Sequence, residues 1–195
     1  MTKESCSNCG ESTYGMVMLT DGVDQTRLLC NRCHNEEMAD LMGVDNYNDF
    51  KETYQTKDSS GKLRNFYIQK RLFPLGVKWN AYENKNGKVL EEGYQFLIYA
   101  KLEENPKFSL QRLLNKINKG LSVKYIKQKR FDGQVMYTLL HDKLVGRIEW
   151  DDDFNGQIPK VIIDGKAYTW NQVGKMLMSY EGWNLKLEIT EEGED

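Results

Sequence analysis

Two cysteine pairs, Cys6-Ser-Asn-Cys9 and Cys30-Asn-Arg-Cys33, use all four cysteines of the 195-residue chain. A two-residue gap lets both thiolates of one turn reach a single ion, and the second pair completes four ligands. Zinc takes four soft sulfurs at tetrahedral corners, each about 2.3 Å from the metal. The spacing therefore predicts a structural four-thiolate zinc site at Cys6, Cys9, Cys30 and Cys33, with no position left open for a substrate. Rival readings find less to stand on. The start, Met1-Thr-Lys-Glu-Ser5, lacks the apolar run of a secretory leader, which argues against disulfides. A redox dithiol needs one pair beside a βαβ pattern that is missing here. Iron sites of the rubredoxin type place glycine where His34 follows Cys33. His34 reads as a helix N-terminal residue, with a place in the ligand shell as the alternative.

Other chemistry is thinly supplied. His34 and His141 are the two histidines, no cysteine remains as a nucleophile, and no Gly-rich phosphate loop or serine elbow occurs. His141-Asp142 has the residue types of an acid–base pair, but Lys143 beside it and the apparent end of a strand point to a turn. Asp151-Asp-Asp153-Phe-Asn155-Gly156 matches the first half of a calcium loop. Ile162 stands at the twelfth position, where a bidentate Glu belongs, so a hairpin turn with solvated acids is expected instead.

Charge is segregated along the chain. Residues 1–45 hold three Lys/Arg against eight Asp/Glu, residues 107–141 eight against one, and residues 142–195 six against twelve. Within the basic block, Arg112, Lys116 and Lys119 line up opposite the leucines of a predicted helix, and Lys124, Lys127, Lys129 and Arg130 follow with Tyr125 among them. Cations neutralise phosphates and rings stack on bases, so this stretch is a candidate nucleic-acid surface. The plainer reading is a solvated face that attracts the chain's own acidic ends.

The elements around the cysteines are a knuckle with Gly10, an Asp21-Gly22 hairpin turn, a short strand at Leu28-Leu29, and a helix from Asn35 to Met42 stopped by Gly43. This order resembles the treble-clef and zinc-ribbon families, and Leu29-Cys-Asn-Arg-Cys33 looks like the second half of a GATA-type finger. The resemblance covers residues 5–43 and implies a small module that folds around zinc. Nucleic-acid recognition does not come with it, because an acidic module is repelled by phosphates. More loosely, the whole chain is similar to uncharacterised bacterial proteins that place such a finger before an α+β domain, a likeness that implies no activity.

Beyond the finger, residues 46–62 are polar and read as a linker. Strands are expected at 63–73, 77–82 and 94–102, then a helix with Asn105 as N-cap and Pro106 at its first position, ending near Gly120. Residues 121–127 read as a second short helix, with 125–130 as a strand in the alternative. Further strands are expected at 135–140, 143–150, 160–163 and 167–168. Thr169-Trp-Asn-Gln172 is a capping box opening a helix, and Trp183–Ile189 alternates as a final strand with Leu185, Leu187 and Ile189 inward. Trp79, Trp150, Trp170 and Trp183 read as core or half-buried. Five Asn-Gly or Asp-Gly dipeptides punctuate the chain, which favours antiparallel hairpins.

The fold class is thus α+β: a treble-clef-like zinc module (1–45), a linker (46–62), and a mainly antiparallel sheet domain with packed helices (63–195), with a further division open near 141–146. The longest apolar run, Phe96–Ala100, is too short to span a bilayer, and a cytoplasmic location is the default. The expected function is a non-enzymatic zinc-binding adaptor with a protein partner. Nucleic-acid binding through 107–130 is the alternative, and an enzyme with an unrecognised carboxylate site comes third.

Overall fold

The computed structural model describes residues 5–21, 25–45 and 47–193. It is a mixed α+β chain whose strands pair antiparallel, with three α-helices among the described residues. Strands β1 (Val17–Asp21) and β2 (Gln25–Leu29) form a hairpin that leads into helix α1 (Asn31–Met42). Gly22 of the predicted Asp21-Gly22 turn lies outside the described residues.

A five-stranded sheet follows. Strands β3 (Thr53–Lys57), β4 (Leu63–Phe73) and β5 (Gly76–Lys85) pair in order, and β6 (Lys88–Val89) and β7 (Gln95–Ala100) both pair with β5. The stretch expected as a linker therefore contributes an edge strand, since Thr53 to Lys57 pair with Tyr67 to Leu63. Its alternation of polar and half-buried residues suits an edge with one wet face.

Helix α2 (Pro106–Ser122) crosses this sheet. Asn105 caps it as expected, its side chain accepting from Lys107 N. Leu113, Ile117 and Leu121 are fully buried against Phe66, Ile68, Leu72, Trp79, Ala81 and Ile98, and Ala39 of α1 joins the same core. The helix does not stop at Gly120. It runs two residues further, and glycine is required there because an added Cβ would run into the ring of Phe96. Residues 123–127 form no second short helix.

Strands β8 (Ile126–Phe131) and β9 (Gln134–Leu139) form a separate hairpin. A three-stranded sheet of β10 (Arg147–Glu149), β11 (Lys160–Ile163) and β12 (Lys166–Thr169) leads into helix α3 (Trp170–Leu177), which opens on the predicted Thr169/Gln172 capping box. Ile126, Val161, Ile163, Tyr168, Val173 and Met176 form a second core. The break between the two larger cores therefore lies just before β8, not at 141–146. Asn86-Gly87, Asp132-Gly133 and Asp164-Gly165 have positive φ at both positions and join paired strands, as type I′ turns require. Asn155-Gly156 shares those angles but closes a single 3-10 turn at Asp152–Phe154 instead.

The last expectation fails outright. Residues 183–189 form no strand, and Trp183, Leu185, Leu187 and Ile189 are 69, 74, 70 and 72% exposed. Trp150 and Trp170 are exposed as well, so of the four tryptophans only Trp79 is core.

Candidate metal centre and its surroundings

The two cysteine turns converge. The ligand atoms of Cys6, Cys9, Cys30 and Cys33 all lie within 4.8 Å of one another, and Cys9 Sγ is 3.7 Å from Cys30 Sγ. Sulfurs at tetrahedral corners, each about 2.3 Å from a metal, stand about 3.8 Å apart, so the spacing fits one shared ion. Local backbone geometry creates this. Gly10, at φ +75°, closes the first knuckle through its N–H to Cys6 O (2.9 Å), and Ser7 N donates to Leu28 O (2.7 Å), tying the knuckle to β2. Cys30 is the N-cap of α1, its sulfur accepting from Cys33 N at 3.5 Å. Cys6, Cys30 and Cys33 are buried with Leu29 against Met16 and Leu19, and Cys9 closes the outer side.

The thiols resist ionising together. Burial opposes a charge at Cys6, but backbone groups of Cys30, Cys9 and Asn8 outweigh it and bring this thiol down to about 6. Burial pushes Cys33 up to about 12, and the neighbouring sulfurs add to that. Burial raises Cys30 too. Ionising Cys30 and Cys33 thus needs a positive charge beside them, which a divalent cation would supply. The cluster could hold a metal ion. His34 is not part of it: its ring is buried 6.0 Å from that of Phe73, where burial lowers its basicity and Nδ1 has no hydrogen-bond partner.

What the cluster positions is α1, and α1 grips the sheet. Beyond Tyr67 the outer edge of β4 has no strand neighbour among the described residues, and two asparagines one helical turn apart take that place. Asn35 Nδ2 donates to Lys70 O (2.7 Å) and Asn35 Oδ1 accepts from Leu72 N (2.9 Å), so one side-chain amide imitates a neighbouring peptide. Asn31 Nδ2 donates to the same carbonyl at 2.8 Å. On the other face of β4, Gln69 Nε2 reaches Tyr14 O at 3.4 Å, and Arg71 Nη2 donates to Gly15 O.

Below this junction a cavity of about 410 Å³ opens between the end of α1, strands β4 and β5, and the turn into α2. Lys70 and Trp79 line it, facing each other across β4 and β5 with the ammonium 5.4 Å from the indole ring. Sequence reasoning missed Lys70, Asn31 and Asn35, and read Trp79 as a core or half-buried residue without its cavity. The signal was a lysine within the apolar alternation Phe66-x-Ile68-x-Lys70-x-Leu72 and two asparagines four residues apart on a helix.

The predicted basic surface is divided. Arg112 is held by Glu104 at 3.1 Å, and Lys116 and Lys119 share α2 with it. Lys127, Lys129 and Arg130 are exposed on β8, beside exposed Phe131, and Lys124 precedes that strand at a smaller polar hollow. His141 and Asp142 lie exposed in a bend, where His141 O accepts from Tyr180 Oη (2.9 Å). Asp151 is buried and caps the 3-10 turn through Asp153 N at 3.2 Å, a structural use for the first acid of the calcium-like run.

Three families match the chain in succession, each described as a domain of unknown function: DUF7685 over residues 5–45, DUF7686 over 48–122 and DUF7713 over 125–194. Their limits fall between α1 and β3 and between α2 and β8; the second coincides with the change from one large core to the other, whereas at the first Ala39, Met42 and Val44 pack across the limit into the main core. No curated protein and no solved structure matches. No helix among the described residues is long and apolar enough to cross a membrane.

Proposed function

We propose that this chain is a non-enzymatic binding protein in which Cys6, Cys9, Cys30 and Cys33 hold one structural zinc ion and residues 183–189 dock a protein partner. The all-sulfur donor set suits zinc or iron, and the treble-clef likeness of the sequence, with His34 instead of glycine after Cys33, favours zinc. With all four thiols committed to one another, no open ligand position remains for catalysis.

The single observation that carries the interaction reading is the exposed tail. Large apolar side chains at every second position of an uncovered segment are costly in water and mark a surface awaiting cover. The partner is a second copy of this chain, because the segment is self-complementary. Paired antiparallel about Leu187, it sets Leu185 opposite Ile189 and Lys186 opposite Glu188 of the second copy. Lys186 and Glu188 already project to one side, 3.4 Å apart within the chain. Sedimentation of the full chain tests this. A dimer is expected, lost in Lys186→Glu and in Glu188→Lys and regained when those two variants are mixed. A wild-type monomer, or a dimer indifferent to these changes, contradicts it.

A second reading, nucleic-acid binding, has one observation in its favour: Lys127, Lys129, Arg130 and Phe131, which is 73% exposed, stand together on the β8–β9 hairpin. Affinity for mixed RNA that falls steeply with salt and disappears on charge reversal at these positions supports it, and no binding at low salt removes it.

A further inference from the structure

Phe66, Ile68 and Leu72 of β4 point into the main core, and the strand's alternation places Lys70 among them. Lys70 is 4% exposed. Among the described residues no carboxylate pairs with its ammonium, and its one cationic contact is the face of Trp79. The Trp79 indole N–H is buried beside it without a partner. A buried, unpaired ammonium is expensive, and an alkyl side chain would pack here at no such cost. Burial accordingly pushes the Lys70 amine down from its ordinary range. The cavity supplies the missing reason. It is large enough for a small molecule, with Leu72, Val77, Trp79 and Leu102 as apolar wall. The other charges around it are Asp45 after α1, Lys101 and Glu103 in the turn after β7, and Glu104, which is already occupied by Ser109 and Arg112.

We propose that this cavity binds a small carboxylate with an apolar body, Lys70 holding the carboxylate and Trp79 packing against the body. Binding gives the lysine the counter-ion it lacks and favours its charged form against the burial that lowers its basicity. Whether the ligand also carries an amine, for which Asp45 and Glu103 offer charge, separates an amino acid from a simple acid. The metal centre bears on the site through α1, since Asn31 and Asn35 fix the Lys70 carbonyl.

Calorimetry of the metal-loaded full chain with phenylacetate, phenylalanine, isovalerate and leucine tests the proposal. At least one probe is expected to bind with a change in tryptophan fluorescence. Affinity is expected to fall at least about tenfold in Lys70→Met and to be retained in Lys70→Arg. Methionine suits an apolar wall, so Lys70→Met is also expected to melt higher than wild type, which separates lost binding from lost folding. Tighter binding of the amine-bearing member of each pair indicates an amino acid, and the reverse a simple acid. No binding of any probe up to about 10 mM, or equal binding by Lys70→Met, overturns the site.

Discussion

Strand β4 and the segment 183–189 carry the same alternating pattern and meet opposite fates. β4 is covered on one face by α2 and on the other by the N-terminal module, and α1 closes its exposed edge with two asparagine side chains. The tail alternates as cleanly, yet neither of its faces is covered by its own chain. Period-two patterning determines which side chains share a face. It does not determine what covers that face. Where the chain supplies its own cover it has a core, and where it does not it presents a surface.

The comparison breaks most visibly at the metal. Chelation, or Cys33→Ser, is expected to unfold residues 5–43, because structural zinc supplies folding free energy on the order of 10 kcal/mol to a module this small. Amide exchange is expected to speed up throughout that module and along the freed edge of β4, while residues 125–177 keep their protection. Next in size is the ion cluster beside the same sheet, where Arg64 sits between Asp58 (2.8 Å) and Glu83 (2.7 Å) with all three side chains nearly buried. Arg64→Met strands two buried carboxylates and is expected to cost about 3–5 kcal/mol in chemical denaturation.

Acid reaches that cluster in a defined window. Burial works against the Asp58 carboxylate, but hydrogen bonds from Ser60 and Arg64 outweigh it and hold this group at about 2. A depressed folded-state pKa means stability that is present above the unfolded value near 4 and is lost as pH falls from about 4 towards about 2, roughly 2 kcal/mol in all. Asp58→Asn is expected to flatten that part of the stability–pH curve. Asn35→Ala, which removes the edge amide and leaves Leu72 N short of a partner while Lys70 O keeps its bond from Asn31, is expected to cost about 1–3 kcal/mol. Leu187→Lys in the tail is expected to change monomer stability by no more than about 0.5 kcal/mol while abolishing self-association. The same kind of substitution at Ile68 would be ruinous, and that contrast is the sharpest form of the comparison.

The sequence made some of this legible for physical reasons. Cysteine spacing constrains three-dimensional geometry directly, and the turns at Asn86-Gly87, Asp132-Gly133 and Asp164-Gly165 need positive φ that few other residues tolerate, so both could be read locally. The helix starts at Asn105 and Thr169 were equally local. What could not be read depends on partners distant in sequence. Residues 53–57 look like linker because a solvated edge strand is polar, and their strand character comes from pairing with β4. Gly120 looks like a helix stop because its actual role, making room for Phe96, lies on another element. Lys70 looks like one more basic residue until the burial of its neighbours is known.

Zinc-edge X-ray absorption on the purified full chain, with its metal content measured alongside, tests the central claim most directly. One zinc per chain surrounded by four sulfurs at about 2.3 Å is the predicted result. A chain without bound metal, or a first shell containing nitrogen or oxygen, contradicts it.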